Sequence, residues 1–268
     1  LGALAIAALT AGAAQAQDPI RIGMMLTLSG PGGALGEHAR DGFLLALEQR
    51  GGALGSMPVE MIVVDDELKP DLAVDRARAL VERDGADIMV GVIFSNVMEA
   101  IFRPVIQNDV VLISPNAGPA SLAGRGCHPH FFNAAWQNDQ NHGVLGQYAS
   151  DEGYERIVLM APNYQAGRDA MAGVKRYYTG EVADEIFTQL GQLDFSAELA
   201  RIAALEPDAV YAFMPGGMGV SLVKQFDQAG LDMPFLSAFT VDETTLPATQ
   251  AAAVGRMGGA QWARDLDN

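Results

Sequence analysis

The chain has 268 residues, 49% hydrophobic and 19% charged, enough apolar material for one large domain or two smaller ones. Its formal net charge of -16 comes from acids spread along the chain, and without a basic stripe it does not read as a nucleic-acid binder. A single cysteine, Cys127, excludes a disulfide within this stretch.

The first sixteen residues, Leu1 to Ala16, are uncharged and rich in Leu and Ala, closing on Ala14-Gln15-Ala16. This is the pattern of a secretory h-region with a small-x-small cleavage site, too short for a transmembrane helix at about 20 residues. We expect 1–16 to be a removed signal peptide, the protein to be periplasmic and the mature chain to start near Gln17. Leu1 has neither an initiator Met nor a basic segment before it, so the natural start is expected to lie further upstream.

From Ile20 onward, short Val/Ile/Met-rich runs alternate with segments of helical period, the signature of a parallel sheet covered by helices. Strands are predicted over 20–27, 59–64, 87–92 and 110–114, and helices over 37–49, 71–83 and 97–107. The helix after Pro70 shows the logic: Leu72, Ala73, Ala77, Leu80 and Val81 form one apolar face, while Asp75, Arg76, Glu82 and Arg83 point outward. The Gly- and Pro-rich stretch from Asn116 to Trp136 is irregular, with 132–137 read as the first crossing between lobes, ahead of a helix near 138–150. A second series follows: strands at 157–161, 182–188, 209–214 and 235–239 alternate with helices at 167–177, 197–205 and 220–229. The expected fold is α/β, two Rossmann-like lobes with parallel sheets: lobe 1 over 17–134 and lobe 2 over 135–240. A second hinge and the start of a truncated C-terminal part are expected over 241–268, because no helix follows the last predicted strand at 257–262.

Chemistry is sparse. Gly30 to Gly36 follows the first strand, but a dinucleotide fingerprint needs Gly at position 35, where Leu stands. The same glycines can still expose backbone N–H groups to an anion. There is no G-x-S-x-G elbow, and His38, His128, His130 and His142 lack H-E-x-x-H spacing. His128-Pro129-His130 reads as a pair of loop histidines. No catalytic set, metal site or cofactor is therefore expected. Phe195, Phe226, Met214 and Met218 read as core, whereas Tyr164, Phe213 and Phe239 end strands, where open α/β sheets place their ligands.

Several stretches occur in order: I-R-I-G-x-x-x-x-x-S-G-P-x-G from Ile20, V-x-D-D from Val63, V-G-x-x-x-S from Val90 and S-P-N-A-G-P from Ser114. They continue with N-Y-x-x-G from Asn163, A-V-Y-A-F from Ala209 and W-x-x-D-L-D-N from Trp262. In this series the chain resembles the type I periplasmic solute-binding proteins of ABC transporters, the Leu/Ile/Val receptor family and its aromatic-acid-binding branch, from Ile20 to Asn268. The resemblance implies a non-enzymatic monomer that hands a small carboxylate to an ABC membrane permease by hinge closure. Its ligand positions fall on Ser95, Asn116, Ala117, Gly118 and Tyr164. The family's first-loop Tyr is replaced here by Leu35. The acidic partner of the amino group is replaced by Phe239, with Asp242 three residues on as a substitute if the loop is shifted. An aromatic or apolar acid is favoured over an amino acid. A ligand-sensing receptor module for a sensor kinase or chemoreceptor uses the same fold.

Overall fold

The computed structural model describes residues 18–262. The segment 1–16, expected to be a signal peptide, and the last motif residues after Trp262 lie outside that range. β1 (Ile20–Leu26) shows why the first sheet forms: all but its first two residues are buried, as a parallel strand covered on both faces requires. Around it assemble β2 (Ala53–Leu54), β3 (Met57–Asp65), β4 (Ile88–Gly91), β5 (Val111–Ser114) and β6 (Phe131–Asn133), in the order β2-β3-β1-β4-β5-β6. Only the β2–β3 hairpin is antiparallel. β6, within the stretch read from sequence as irregular, is an edge strand: Ile113 pairs with Phe132.

The connections are α1 (Gly33–Gln49), α2 (Pro70–Arg78) and α3 (Ser95–Ile106). Two of them start earlier than their periodicity predicts. α1 begins at Gly33 because Gly36 lets its first turn sit on the end of β1; a Cβ there would fall 1.9 Å from the Thr27 carbonyl oxygen. α3 begins at Ser95, after an extended Phe94, so Ser95 is the first helical residue rather than a loop residue.

The chain leaves the first sheet after β6 and enters α4 (Gln140–Asp151). The second sheet has the order β11-β10-β9-β7-β8, all parallel, from β7 (Arg156–Pro162), β8 (Glu181–Thr188), β9 (Ala209–Ala212), β10 (Phe235–Ser237) and β11 (Met257–Gly258). α5 (Gln165–Tyr177), α6 (Ser196–Leu205) and α7 (Gly217–Gln228) are its crossovers. β9 is buried along its whole length, and Phe195, Phe226, Met214 and Met218 pack inside as expected. Beyond Val241 the described chain stays with this sheet. α8 (Leu246–Thr249) packs on α7, and β11 extends the edge beside β10, with Gly259 N–H donating to Ser237 O at 2.8 Å. The fold is thus two α/β lobes whose strands end toward a shared cleft. No described helix is long and apolar enough to cross a membrane.

Candidate functional site

The loops that leave the C-terminal ends of the strands carry the residues that face the cleft, as the topology of open α/β sheets dictates. From the first lobe come Leu35 in α1, Ile93 and Phe94 ahead of α3, Ser95 at its start, and Asn116 and Ala117 after β5. The second lobe answers with His142 from α4, Tyr164 and Ala166 around the start of α5, Phe213 and Pro215 after β9, and Phe239 and Asp242 after β10. Trp136 and Asn138 join them from the crossing segment. The space between the walls is about 500 Å³, counting its mouth. The structure therefore brings Leu35, Ser95, Asn116, Ala117, Tyr164 and Phe239 to one cavity. Gly118 stands behind that wall: its N–H donates to Asn138 Oδ1 at 3.1 Å and its carbonyl accepts from Asn138 N at 2.8 Å. A Cβ on Gly118 would lie 2.0 Å from the Trp136 carbonyl oxygen, so glycine is needed for the close approach.

Asn138 is the polar hub. Its Nδ2 donates both to Ser95 Oγ at 3.0 Å and to Asp169 Oδ2 at 3.0 Å, while its Oδ1 faces the Gly118 N–H. The reverse amide orientation would set an oxygen against a carboxylate and an NH2 against an N–H, so the network fixes this one. Ser95 accepts from Asn138, which leaves its own hydroxyl hydrogen free to turn into the cleft. The Asp169 carboxylate also accepts from Ala120 N at 3.0 Å and Gln165 Nε2 at 2.8 Å, joining both lobes and the crossing segment at one buried point. On the neighbouring loop, Asn116 Nδ2 donates to Ile93 O at 2.7 Å and pins that wall to the turn before α3.

Much of the remaining lining is aromatic. Trp136 and Phe239 stack with centroids 4.6 Å apart at 22°, and Tyr164 and Phe213 stack at 6.3 Å and 18°. Phe94 reaches across from the first lobe to 6.1 Å from Tyr164. Phe239 holds a left-handed backbone, φ 56°, which for a bulky residue costs about 1–3 kcal/mol. The next residue helps hold it there: Thr240 Oγ1 donates to Ala212 O at 3.1 Å and accepts from Met214 N at 2.8 Å.

The electrostatics exclude a simple ion pair for an acid. None of the residues lining this cavity is Lys or Arg. His142 is buried, and desolvation lowers its pKa to about 3, so it is neutral at physiological pH. Burial likewise pushes the Tyr164 phenol up, keeping it an uncharged O–H. The wall instead presents the N-termini of α3 and α5, the positive ends of their helix dipoles. Asp242 is the one carboxylate on the wall. Its Oδ1 accepts from Thr244 N at 2.9 Å, Thr244 Oγ1 at 2.6 Å and Thr245 N at 3.1 Å, so that oxygen is engaged by the turn entering α8.

Ile93, Phe94, Trp136, Asn138, His142, Ala166 and Pro215 are the site residues that sequence reasoning did not assign to the cleft. Trp136 closes the stretch that reads as irregular, Asn138 falls at the start of the helix predicted near 138–150, and the histidine spacing that includes His142 tests only for a metal site. Among the described residues no group of three or more His, Cys, Asp or Glu could hold a metal ion. Cys127 is free and exposed.

Two α/β lobes that close aromatic walls and two helix N-termini around a small cavity define a class: binding proteins that capture a small molecule between lobes. The chain belongs to the periplasmic binding protein family, which it matches over residues 19–268. It is 26% identical over 264 residues to Leu/Ile/Val-binding protein homolog 6 of Brucella melitensis, covering 95% of this chain and 67% of that one. A solved ABC-transporter solute-binding protein from R. palustris, in complex with benzoate, superposes with a TM-score of 0.90 at 30% identity, covering 93% of this chain and 70% of that one. An ABC transporter substrate-binding protein from Sphaerobacter thermophilus gives 0.79 at 35% identity, covering 89% and 67%. The chain thus spans about two thirds of the length of these relatives. It is a substrate-binding component of the ABC-transporter type, extracytoplasmic and non-enzymatic.

Proposed function

We propose that this protein captures a small aromatic carboxylic acid in the interlobe cleft and delivers it, as a monomer, to the membrane permease of an ABC importer. The observation that carries the ligand class is the pairing of an aromatic cage with uncharged anion donors. Trp136, Phe239, Tyr164 and Phe213 offer flat apolar faces, and the Ser95 hydroxyl and the α3 N-terminus offer hydrogen bonds without a counter-charge. In this reading Ser95, Asn116 and Ala117 hold the carboxylate from lobe 1, residues 17–134. Leu35, Tyr164 and Phe239 cover the ring, the last two from lobe 2, residues 135–240. Gly118 acts through Asn138. Ligand contacts to both lobes favour the closed arrangement over the open one. Export through the segment 1–16 as a signal peptide delivers the chain to the periplasm. The benzoate held by the R. palustris relative supports the same ligand class.

A second reading, an amino-acid ligand, is favoured by Asp242 on the cavity wall, whose carboxylate can pair with an ammonium group. The name of the Brucella relative points the same way. A thermal-shift screen separates the two. A ligand at about 100 times its Kd adds roughly 2.7 kcal/mol of stability. Benzoate-type acids are expected to raise the melting temperature and leucine, isoleucine and valine to leave it unchanged. The opposite pattern overturns the aromatic-acid reading.

A further inference from the structure

His142 and Tyr211 form a buried pair at the cleft that carboxylate capture does not use. Tyr211 lies inside β9 and is 1% exposed; its hydroxyl stands 2.5 Å from His142 Nδ1. That is the hydroxyl's one hydrogen-bond contact in the structure, which decides where the protons sit. If Nδ1 carried the hydrogen, the Tyr211 proton would be left with no acceptor in a dry interior, a costly arrangement. The hydroxyl therefore donates to Nδ1, and the neutral imidazole carries its hydrogen on Nε2.

His142 lines the cleft, with its ring edge-on to Phe213 at 5.0 Å and to Phe239 at 5.7 Å. It comes from the second lobe, whereas Ser95 comes from the first. Desolvation keeps the imidazole neutral through the physiological range, so Nδ1 remains free to accept the Tyr211 bond. The ring can turn little between two aromatic neighbours and a short bond from β9.

We infer that His142, with its tautomer fixed by Tyr211, is a specificity-determining residue that donates a hydrogen bond from Nε2 to a neutral oxygen on the body of the ligand, a ring hydroxyl or carbonyl. This rests on the aromatic-acid reading above and deepens it: the preferred substrate is an oxygen-bearing aromatic acid rather than a bare one. A ligand without that oxygen leaves a buried donor unpaired, and the penalty is paid on binding.

Calorimetry of the full chain with benzoate and with 2-, 3- and 4-hydroxybenzoate tests this. At least one hydroxybenzoate is expected to bind tighter than benzoate by about two- to tenfold, the worth of one net neutral hydrogen bond. In His142→Phe that margin disappears, because benzoate then leaves no buried donor unpaired. Because His142→Phe orphans the Tyr211 hydroxyl, the paired variant His142→Phe/Tyr211→Phe, which removes both polar groups, is measured alongside. A margin that survives in either variant overturns the inference. So does a loss of benzoate affinity equal to that of the hydroxybenzoates, which would assign His142 to the carboxylate. Nitrogen-15 spectra of histidine-labelled wild type give a readout independent of any ligand. Nε2-protonated His142 across pH 5–8 is expected, and an Nδ1-protonated or cationic ring overturns the inference. If leucine binds and no benzoate does, the ligand-class reading has failed and the assigned acceptor falls with it, whereas the tautomer result stands separately.

Discussion

Asn138→Ala removes the hub that ties both lobes to the crossing segment, and its cost can be worked from the partners left behind. Gly118 N–H loses its acceptor in a buried position, about 1–3 kcal/mol, and the buried Asp169 carboxylate loses a charge-assisted donor, about 1.5–3 kcal/mol. Asp169 keeps Ala120 N and Gln165 Nε2, so the two losses do not add in full and about 3–5 kcal/mol is expected. In a chain of this size each kcal/mol moves the midpoint by about 2–4 °C, so melting of the ligand-free protein should fall by roughly 6–20 °C. Ligand affinity should fall as well, because Ser95 loses the donor that turns its hydroxyl toward the cleft. Differential scanning calorimetry reads the first effect and titration calorimetry the second. Asn138→Asp supplies a signature that mere loss of packing lacks. It sets a second carboxylate 3.0 Å from Asp169 Oδ2, so stability should recover as pH falls from 7 toward 5 and one carboxyl takes up a proton. A fall of less than about 2 °C in Asn138→Ala, or no recovery in Asn138→Asp, would refute the hub: its atoms would then be reached by water and the lobes would stand apart in solution.

Ser95→Ala should weaken benzoate binding by about 1–3 kcal/mol and, by leaving one Asn138 Nδ2 hydrogen without its acceptor, lower the melting temperature of the free protein by roughly 2–12 °C; equal affinity in calorimetry would make Ser95 a scaffold residue. Phe239→Glu should abolish aromatic-acid binding by placing a carboxylate beside the ligand's own, and retained binding would move Phe239 off the cleft wall. The His142 pKa is depressed from 6.5 to about 3 on folding, so its contribution is present above pH 6.5 and is lost as pH falls through that window toward 3. Wild type should therefore lose about 1.4 kcal/mol more per pH unit below 6 than the His142→Phe/Tyr211→Phe variant, measured by denaturant titration; parallel curves would place a solvated imidazole there. Gly36→Ala should destabilise by about 1–3 kcal/mol because its Cβ meets backbone at Thr27, and a stabilised protein, as helix propensity alone predicts, would show that α1 can shift.

The architecture was legible in the sequence because its signal is periodic and local. Strands such as Val-Leu-Ile in β5 are apolar on both faces, and the stripe of Ala73 and Ala77 in α2, continued by Leu80 in the π-helical turn Ala79–Arg83, is buried as its spacing demands. β6 was illegible for the same reason: three residues at a sheet edge, Phe131 to Asn133, carry no period, and their pairing with β5 is a tertiary fact. The cleft divided along a similar line. Asn116 and Tyr164 follow strands in short loops and Ser95 opens the helix after one, places where position in the chain fixes position in space. His142 sits within α4 and Asn138 in an aperiodic crossing; each acquires its role only from residues 69 and 43 positions away, Tyr211 and Ser95. Asn138 and His142, two of the residues that chain order could not place, are thus those whose hydrogen bonds orient donors toward the cleft. Orientation of a proton depends on which buried partner claims the opposite side of the donor, and that information lives in the packing between lobes and strands. Selectivity among acids of one size should accordingly respond more to changes at Asn138, His142 and Tyr211 than to exchanges among the apolar wall residues, whose contribution is area and therefore nearly the same for each ring.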